Sequence, residues 1–436
     1  MATDVLVIGG GAIGVAAAYE LARDGAQVTL VEKGSRLASG CSAGNAGLLC
    51  PSHSAPLATP RALRQGIVWA LRRDSPLYLK PRPAVVPWLA RFAAASTSTR
   101  AREGTAVIRS LSQASLVLHA ALAEAGIETG FERRGVLNAY ETEPGFSDGS
   151  AEASANAKAG LRVEVLEGDE ARQLEPALSS AVRGAAYYLD EAHCDPARFV
   201  AGIGTAAEAH GARIETDVEV LGFRAANGRL EAVETTGGRR AAATFVLAAG
   251  AWTRQLARLL GIYLPIEGGK GYHVELEPGE RAPRVPVFMQ ESRVIATPYP
   301  ARLRLAGTLE LAGLDLGVDP VRVGAILAAA RRNVRGLDGL PVTRVWRGLR
   351  PCAPDGLPVV GRPRRLENVL VATGHAMMGL TLAPITAKLV AELAAGRSPS
   401  YDVAALAPDR FRPLLPRRTL RSPATRPRAE LAAPGR

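Results

Sequence analysis

Cysteine is scarce in this chain, four in 436 residues. Cys41, Cys50, Cys194 and Cys352 show no CxxC spacing and no neighbouring histidine pair, which argues against a zinc site and a disulfide framework and predicts reduced thiols and no metal. No segment resembles an uncharged membrane span of about 18 residues. No basic leader with a cleavage site precedes the first apolar run, so the expected location is the cytoplasm. Aromatics make up 5% of the chain, and beyond Phe411 none is interleaved with the arginines that dominate its end. Arg410, Arg412, Arg417, Arg418, Arg421, Arg426, Arg428 and Arg436 face only Asp409 and Glu430 there, so six units of the net charge of +11 belong to this tail. A nucleic-acid surface is therefore not expected. Residues 413–436, rich in proline and arginine, read as a disordered basic tail.

What remains is globular in composition, 47% hydrophobic and 22% charged, and long enough for two domains. Its organising stretch is MATDVLVIGGGAIG. Asp4 to Ile8 is the β-branched run that a buried parallel strand needs, and Gly9, Gly11 and Gly14 follow at G-x-G-x-x-G spacing with Ala12 and Ile13 between them. Residues 15–23 read as a helix, Asp24-Gly25 ends it, and a second strand from Gln27 closes on Glu32, eighteen residues past Gly14. The glycines make the turn, let the backbone approach a pyrophosphate and allow helix and strand to touch; Glu32 is placed to accept from a ribose. Glu32 beside Lys33, with no basic residue in place of the acid, disfavours a 2′-phosphate.

The loop from Gly34 to Pro51 is rich in small residues and can lie close to a flat ligand. Residues 56–102 read as short helices joined by prolines, 105–125 as a helix in which His119 is a packing or surface residue, and 151–159 as another helix. Strands are expected at 135–140, 163–166 and 185–189, and Asp195-Pro196 opens a further helix. Residues 213–216, 218–223, 229–235 and 244–248, with a turn at Asn227-Gly228, read as a β-meander. Thr244 to Trp252 is a buried strand ending in small residues, where Gly250 lets another segment approach. Strands at 270–276, 292–299 and 303–311 suggest a separate substrate domain. A last strand at 368–374 leads through His375 to Gly379 into a helix at 380–395, a second place for backbone N–H groups to meet an electron-rich ring.

The segments VLVIGGGAIGVAAAYELARDGAQVTLVEK, GCSAGNAGL, FVLAAGAWT, GKGYHVEL, WRGLRPCAPDGLPVVG and GHAMMGLTLAPITAKLVAEL resemble those of the FAD-dependent amine and amino-acid oxidoreductases: D-amino-acid dehydrogenase, glycine oxidase, D-amino-acid oxidase and sarcosine oxidase. The similarity is greatest to the bacterial D-amino-acid dehydrogenase branch. It implies an α/β fold, with a Rossmann-like FAD-binding domain of the glutathione-reductase type and a second, antiparallel-sheet α+β substrate domain. The expected division is 1–57, 160–262 and 340–400 for FAD and 58–159 and 263–339 for substrate.

By the same resemblance, Gly9, Gly11 and Gly14 would hold the pyrophosphate and Glu32 the ribose. Ser42, Asn45, Ala46 and Gly47 would lie beside pyrophosphate and flavin, and the backbone of Val218 would meet the adenine. Gly374, His375, Gly379, Leu380 and Thr381 would form the turn beside the pyrimidine end of the flavin, His375 acting mainly through its backbone. Arg350 falls where the family grips a substrate carboxylate, a task suited to a planar guanidinium; Arg347 is its competitor. Tyr272, His273 and Tyr299 are candidates to line the pocket or receive a proton, and each can equally be a packing residue of a strand. Cys352 is out of register with the covalent attachment cysteine of sarcosine-oxidase relatives, so non-covalent FAD is expected. The implied activity is oxidation of the Cα–N bond of a D-amino acid, with quinone or O2 as electron acceptor. The alternatives are a glycine or sarcosine oxidase, a D-proline or D-hydroxyproline dehydrogenase, and an FAD-carrying subunit of a hetero-oligomeric electron-transfer complex. A peripheral membrane contact is compatible with each.

Overall fold

The computed structural model describes residues 4–69, 72–279 and 282–411; the basic tail expected at 413–436 lies outside the described residues. Strand Asp4–Ile8 is buried from Val5 onward, and each fully buried Val, Leu or Ile there contributes about 1.5–3 kcal/mol. It pairs in parallel with Gln27–Val31 on one side and Thr244–Leu247 on the other. The six-stranded sheet runs Val359–Gly361, Val369–Thr373, Thr244–Leu247, Asp4–Ile8, Gln27–Val31, Arg213–Glu215, parallel throughout except at the first strand. Helix Ala12–Arg23 packs between helices Ala383–Ala394 and Pro196–Ala209. Its alanines, buried almost without exception, let the helices approach closely.

A nine-stranded sheet stands apart from this one. Its order is Val342–Cys352, Glu267–Leu276, Arg302–Leu311, Val294–Tyr299, Val287–Met289, Val136–Tyr140, Gly184–Tyr188, Val163–Glu167, with Leu77–Leu79 alongside Arg302–Leu311. Helix Pro320–Asn333 covers one face. Strand Glu267–Leu276 is buried along its whole length, and its alternation sends Tyr272, Val274 and Leu276 into the core that this helix closes. His273 and Glu275 fall on the opposite face.

Several expectations are corrected. Strands Val163–Glu167, Gly184–Tyr188 and Val342–Cys352 belong to the larger sheet, although 160–262 and the stretch from 340 were assigned to the FAD-binding part. The meander is a three-stranded sheet of Val220–Ala226, Arg229–Thr235 and Gly238–Arg240, while Thr244–Leu247 and Arg213–Glu215 are strands of the six-stranded sheet. Periodicity identifies a strand, but its sheet is decided by hydrogen bonds to residues distant in sequence. Helix Ser98–Glu124 begins earlier than expected, at Thr97, whose hydroxyl accepts from Arg100 N–H. Helix Glu143–Lys158 likewise begins at a cap, Thr142, which accepts from Gly145 N–H. Helix Ser98–Glu124 is long and apolar enough by length and composition to cross a membrane; here it packs against helix Ala383–Ala394 with Ile108, Leu111, Leu116 and Leu122 buried.

Candidate active site

A cavity of about 1240 Å³ extends from the first glycine turn to the larger sheet. At one end Gly9 has φ +116°, and a Cβ there would press into the Ala248 carbonyl. A Cβ on Gly14 would overlap the Gly9 carbonyl, so Gly14 serves the contact between helix and strand and does not itself line the cavity. Ala12 N–H donates to Ser42 Oγ (2.9 Å) at the helix start. The Glu32 carboxylate accepts from Gly10 N–H at 2.7 Å and from Gly34 N–H and Ser39 Oγ at 2.8 Å, which fixes it in the cavity wall. Lys33 Nζ lies 4.0 Å from the centre of the Trp252 ring. Val218 gives its N–H to the Glu32 carbonyl.

The loop expected beside the flavin is held from the larger sheet through consecutive carbonyls. Arg304 donates to the carbonyls of Ala43 (3.0 Å) and Asn45 (2.7 Å), and His273 Nδ1 donates to that of Gly44 at 3.2 Å. Thr297 Oγ1 (2.8 Å) and Tyr299 Oη (3.0 Å) donate to the Ala46 carbonyl, and Cys194 N–H donates to that of Gly47 at 2.9 Å. Arg304, 2% exposed, is neutralised by Glu275 at 2.6 Å. On the opposite side of the cavity, His119 Nε2 donates to the Leu380 carbonyl (3.1 Å) and Thr381 Oγ1 to the Leu48 carbonyl (3.0 Å). His375 shares a 3.0 Å hydrogen bond with Thr386 through Nε2, and burial lowers its pKa to about 3. Helix Ala383–Ala394 starts three residues later than expected, leaving Leu380 and Thr381 in the turn.

Arg350 lines the cavity, donates through Nη1 to the Thr308 carbonyl at 2.8 Å, and has no carboxylate within ion-pair distance among the described residues. Burial lowers its pKa, opposed by the Cys352 and Cys41 thiols. A cation so placed is completed by an anion. Arg347 points elsewhere, donating to the Leu316 carbonyl at 2.9 Å.

Of the residues singled out in the sequence, Gly9, Gly11, Ala12, Ile13, Glu32, Lys33, Ser42, Asn45, Ala46, Val218, Gly250, His375, Gly379, Leu380, Thr381 and Arg350 line this one cavity. Gly14, Gly47 and Gly374 are not among its lining residues. Tyr272 does not reach it: the phenol donates to Glu310 at 2.8 Å on the far face of its strand. His273 and Tyr299 are on the near face, where His273 Nδ1 and Tyr299 Oη hold the loop; neither lines the cavity, and His273 Nε2 has no hydrogen-bond partner among the described residues. Burial, reinforced by the Arg304 charge, lowers the His273 pKa to about 3, so its imidazole is neutral. The sequence reading missed Trp346, whose ring stacks on His273 with centroids 5.0 Å apart. The missed signal was the period of two within WRGLR, which places Trp346, Gly348 and Arg350 on one face.

The glycine cradle, helix N-terminus and fixed acid suit a dinucleotide, and the carbonyl-pinned loop and the turn at 374–381 suit its flat ring system. Comparison with known proteins agrees. The chain is 33% identical to a D-amino acid dehydrogenase of Paramagnetospirillum magneticum, covering 93% of this chain and 98% of that protein. It is 32% identical to a D-amino-acid oxidase of Bradyrhizobium diazoefficiens, with the same coverage. The crystal structure of glycine oxidase from Geobacillus kaustophilus superposes with a TM-score of 0.78 at 26% identity, over 94% of this chain and 99% of that one. Residues 4–393 match the FAD dependent oxidoreductase family, and the chain belongs to that family.

Proposed function

We propose that the protein oxidises the Cα–N bond of a D-amino acid, giving an imino acid that water converts to a 2-oxo acid and ammonia. The observation that carries this reading is Arg350, a cation with no carboxylate partner, in the same cavity as the glycine cradle. Its guanidinium takes the substrate carboxylate bidentately and fixes the orientation of Cα. Bound FAD, held non-covalently, supplies the two-electron acceptor for the hydride that leaves Cα. The proton lost from nitrogen goes to solvent. Tyr272, His273 and Tyr299 are not its acceptors, because none of them lines the cavity. Gly9, Gly11 and Glu32 hold the dinucleotide end, and the 42–47 loop and the turn at 374–381 hold the ring. The electrons pass on to a quinone or to O2; a cytoplasmic enzyme at the inner membrane face or within a hetero-oligomer is compatible with the former.

The test is anaerobic bleaching of the bound flavin by a panel of D- and L-amino acids, glycine and sarcosine. Bleaching by D-amino acids, lost in Arg350→Ala while FAD stays bound, is the expected result. No bleaching by any of them would sink the reading. Peroxide formation in air separates an oxidase from a dehydrogenase.

A further inference from the structure

The cavity continues past Arg350 into a recess walled by His53, Arg61, Gln65, Phe288, Gln290 and Arg293. Arg293 sits at the tip of the connection between strands Val287–Met289 and Val294–Tyr299, with φ +54°. Thr308, whose carbonyl anchors Arg350, has φ +60°. These two left-handed residues are neighbours across the sheet: Val294 pairs with Gly307, and a Cβ on Gly307 would lie 3.1 Å from the Arg293 carbonyl. Strain of this kind, of the order of 1–3 kcal/mol per residue, gathers where a binding site needs it. Here it places the backbone of Arg293 about one strand spacing, about 4.8 Å, from Thr308, the residue to which the head of Arg350 reaches from two strands away.

Arg293 is short of anions. Among the described residues its one hydrogen bond runs from Nη1 to Gln290 Oε1 at 3.1 Å, and no carboxylate lies within ion-pair distance. Oε1 of the adjacent Glu291 is turned to Glu141 N–H, Thr142 N–H and Thr142 Oγ1, each at 3.0–3.1 Å. Arg61 pairs with Asp148 at 3.2 Å. Among the described residues, Glu152 is the one acid lining this part of the cavity, against Arg61, Arg293 and Arg350. His53 adds no charge, since burial, with Arg293 beside it, lowers its pKa to about 4.

We propose that the recess is a second anion site, and that the preferred substrate is an amino acid of aspartate or glutamate size carrying a side-chain carboxylate. This rests on the reading of Arg350 as anchor of the α-carboxylate. The distal carboxylate takes Arg293, with the Gln290 amide beside it, and the substrate's two negative charges answer the excess positive charge of the wall. A neutral side chain of equal length leaves Arg293 without its counter-ion.

The holoenzyme tests this by anaerobic flavin reduction with D-glutamate and D-aspartate against D-glutamine and D-asparagine. The expected result is a kcat/KM about 10- to 100-fold higher for the acids. Arg293→Gln is expected to collapse that ratio, and Arg293→Lys to retain part of it. Equal efficiency for acid and amide in the unaltered protein, or a ratio that survives Arg293→Gln, overturns the second site. Failure of the parent reading looks different: none of the amino acids reduces the flavin. In that event the perturbation of the flavin spectrum by glutarate against pentanoate decides. Tighter glutarate binding that is lost in Arg293→Gln supports the site, and equal binding overturns it.

Discussion

The α-carbon of Gly271 lies beneath the guanidinium of Arg350, so close that a β-carbon there would overlap Nη1 and Cζ. Gly271 faces Gly348 across the strand pair. Gly271 clears the bed on which Arg350 reaches the Thr308 carbonyl, while Gly348 makes room for the Trp346 ring.

Gly271→Ala is therefore expected to lift Arg350 away from Thr308. The flexible arginine absorbs the clash at little cost to folding. The carboxylate contact loses its geometry, and KM is expected to rise about 10- to 100-fold with a smaller change in kcat. Steady-state kinetics beside the flavin-to-protein ratio checks this. An unaltered KM with full flavin content would mean that the substrate carboxylate is held elsewhere.

Arg304 joins the two sheets by holding the flavin-side loop. Arg304→Met leaves the carbonyls of Ala43 and Asn45 unpaired and buries Glu275 with only Arg302, 3.1 Å away, as counter-ion. Removing one partner of a buried ion pair costs about 3–5 kcal/mol, and the remaining Arg302 puts the expected loss at the low end, about 3 kcal/mol. Urea titration reads the stability. Quenching of free-flavin fluorescence reads FAD affinity, expected to fall more than in a variant of similar stability loss on the covered face, such as Val274→Ala.

Glu191 gives a pH signature. Burial raises its pKa from 4.5 to about 7, opposed by its bonds to Ser52 and Cys50; Ser52 N–H donates to Oε1 at 2.7 Å. The unfolded chain releases this proton near pH 4.5 and the folded one near 7. The contribution is thus complete below about 4.5, lost as pH rises to about 7, and flat above. A shift of this size corresponds to about 3 kcal/mol. Glu191→Gln, which cannot ionise, is expected to flatten that interval of the stability profile. Identical pH slopes in the two proteins would show that Glu191 ionises in the folded state as it does in water.

The sequence by itself determined the nucleotide end. Strand, glycines, helix and acid are consecutive from Asp4 to Glu32, their geometry is local, and a short stretch of residue types carries it. The Asp195-Pro196 helix start and the Asn227-Gly228 turn were legible for the same reason. Arg350 was legible as the favoured candidate, with Arg347, three positions earlier on the same strand, as its competitor until the opposite-facing sides of that strand were placed. Tyr272 and His273 could not both face one site, as the alternation of a strand already implies, yet which of them faced it depended on the side taken by helix Pro320–Asn333. The membership of Val163–Glu167, Gly184–Tyr188 and Val342–Cys352 in the larger sheet was decided by pairing between residues far apart in the chain. The same is true of the hold of Arg304, His273, Thr297 and Tyr299 on the loop at 43–47, and of the approach of Arg293 to the anchor of Arg350. These contacts join segments that are not neighbours in sequence, those to the loop at 43–47 across more than two hundred residues, and only the packed tertiary structure brings their charges and carbonyls into register.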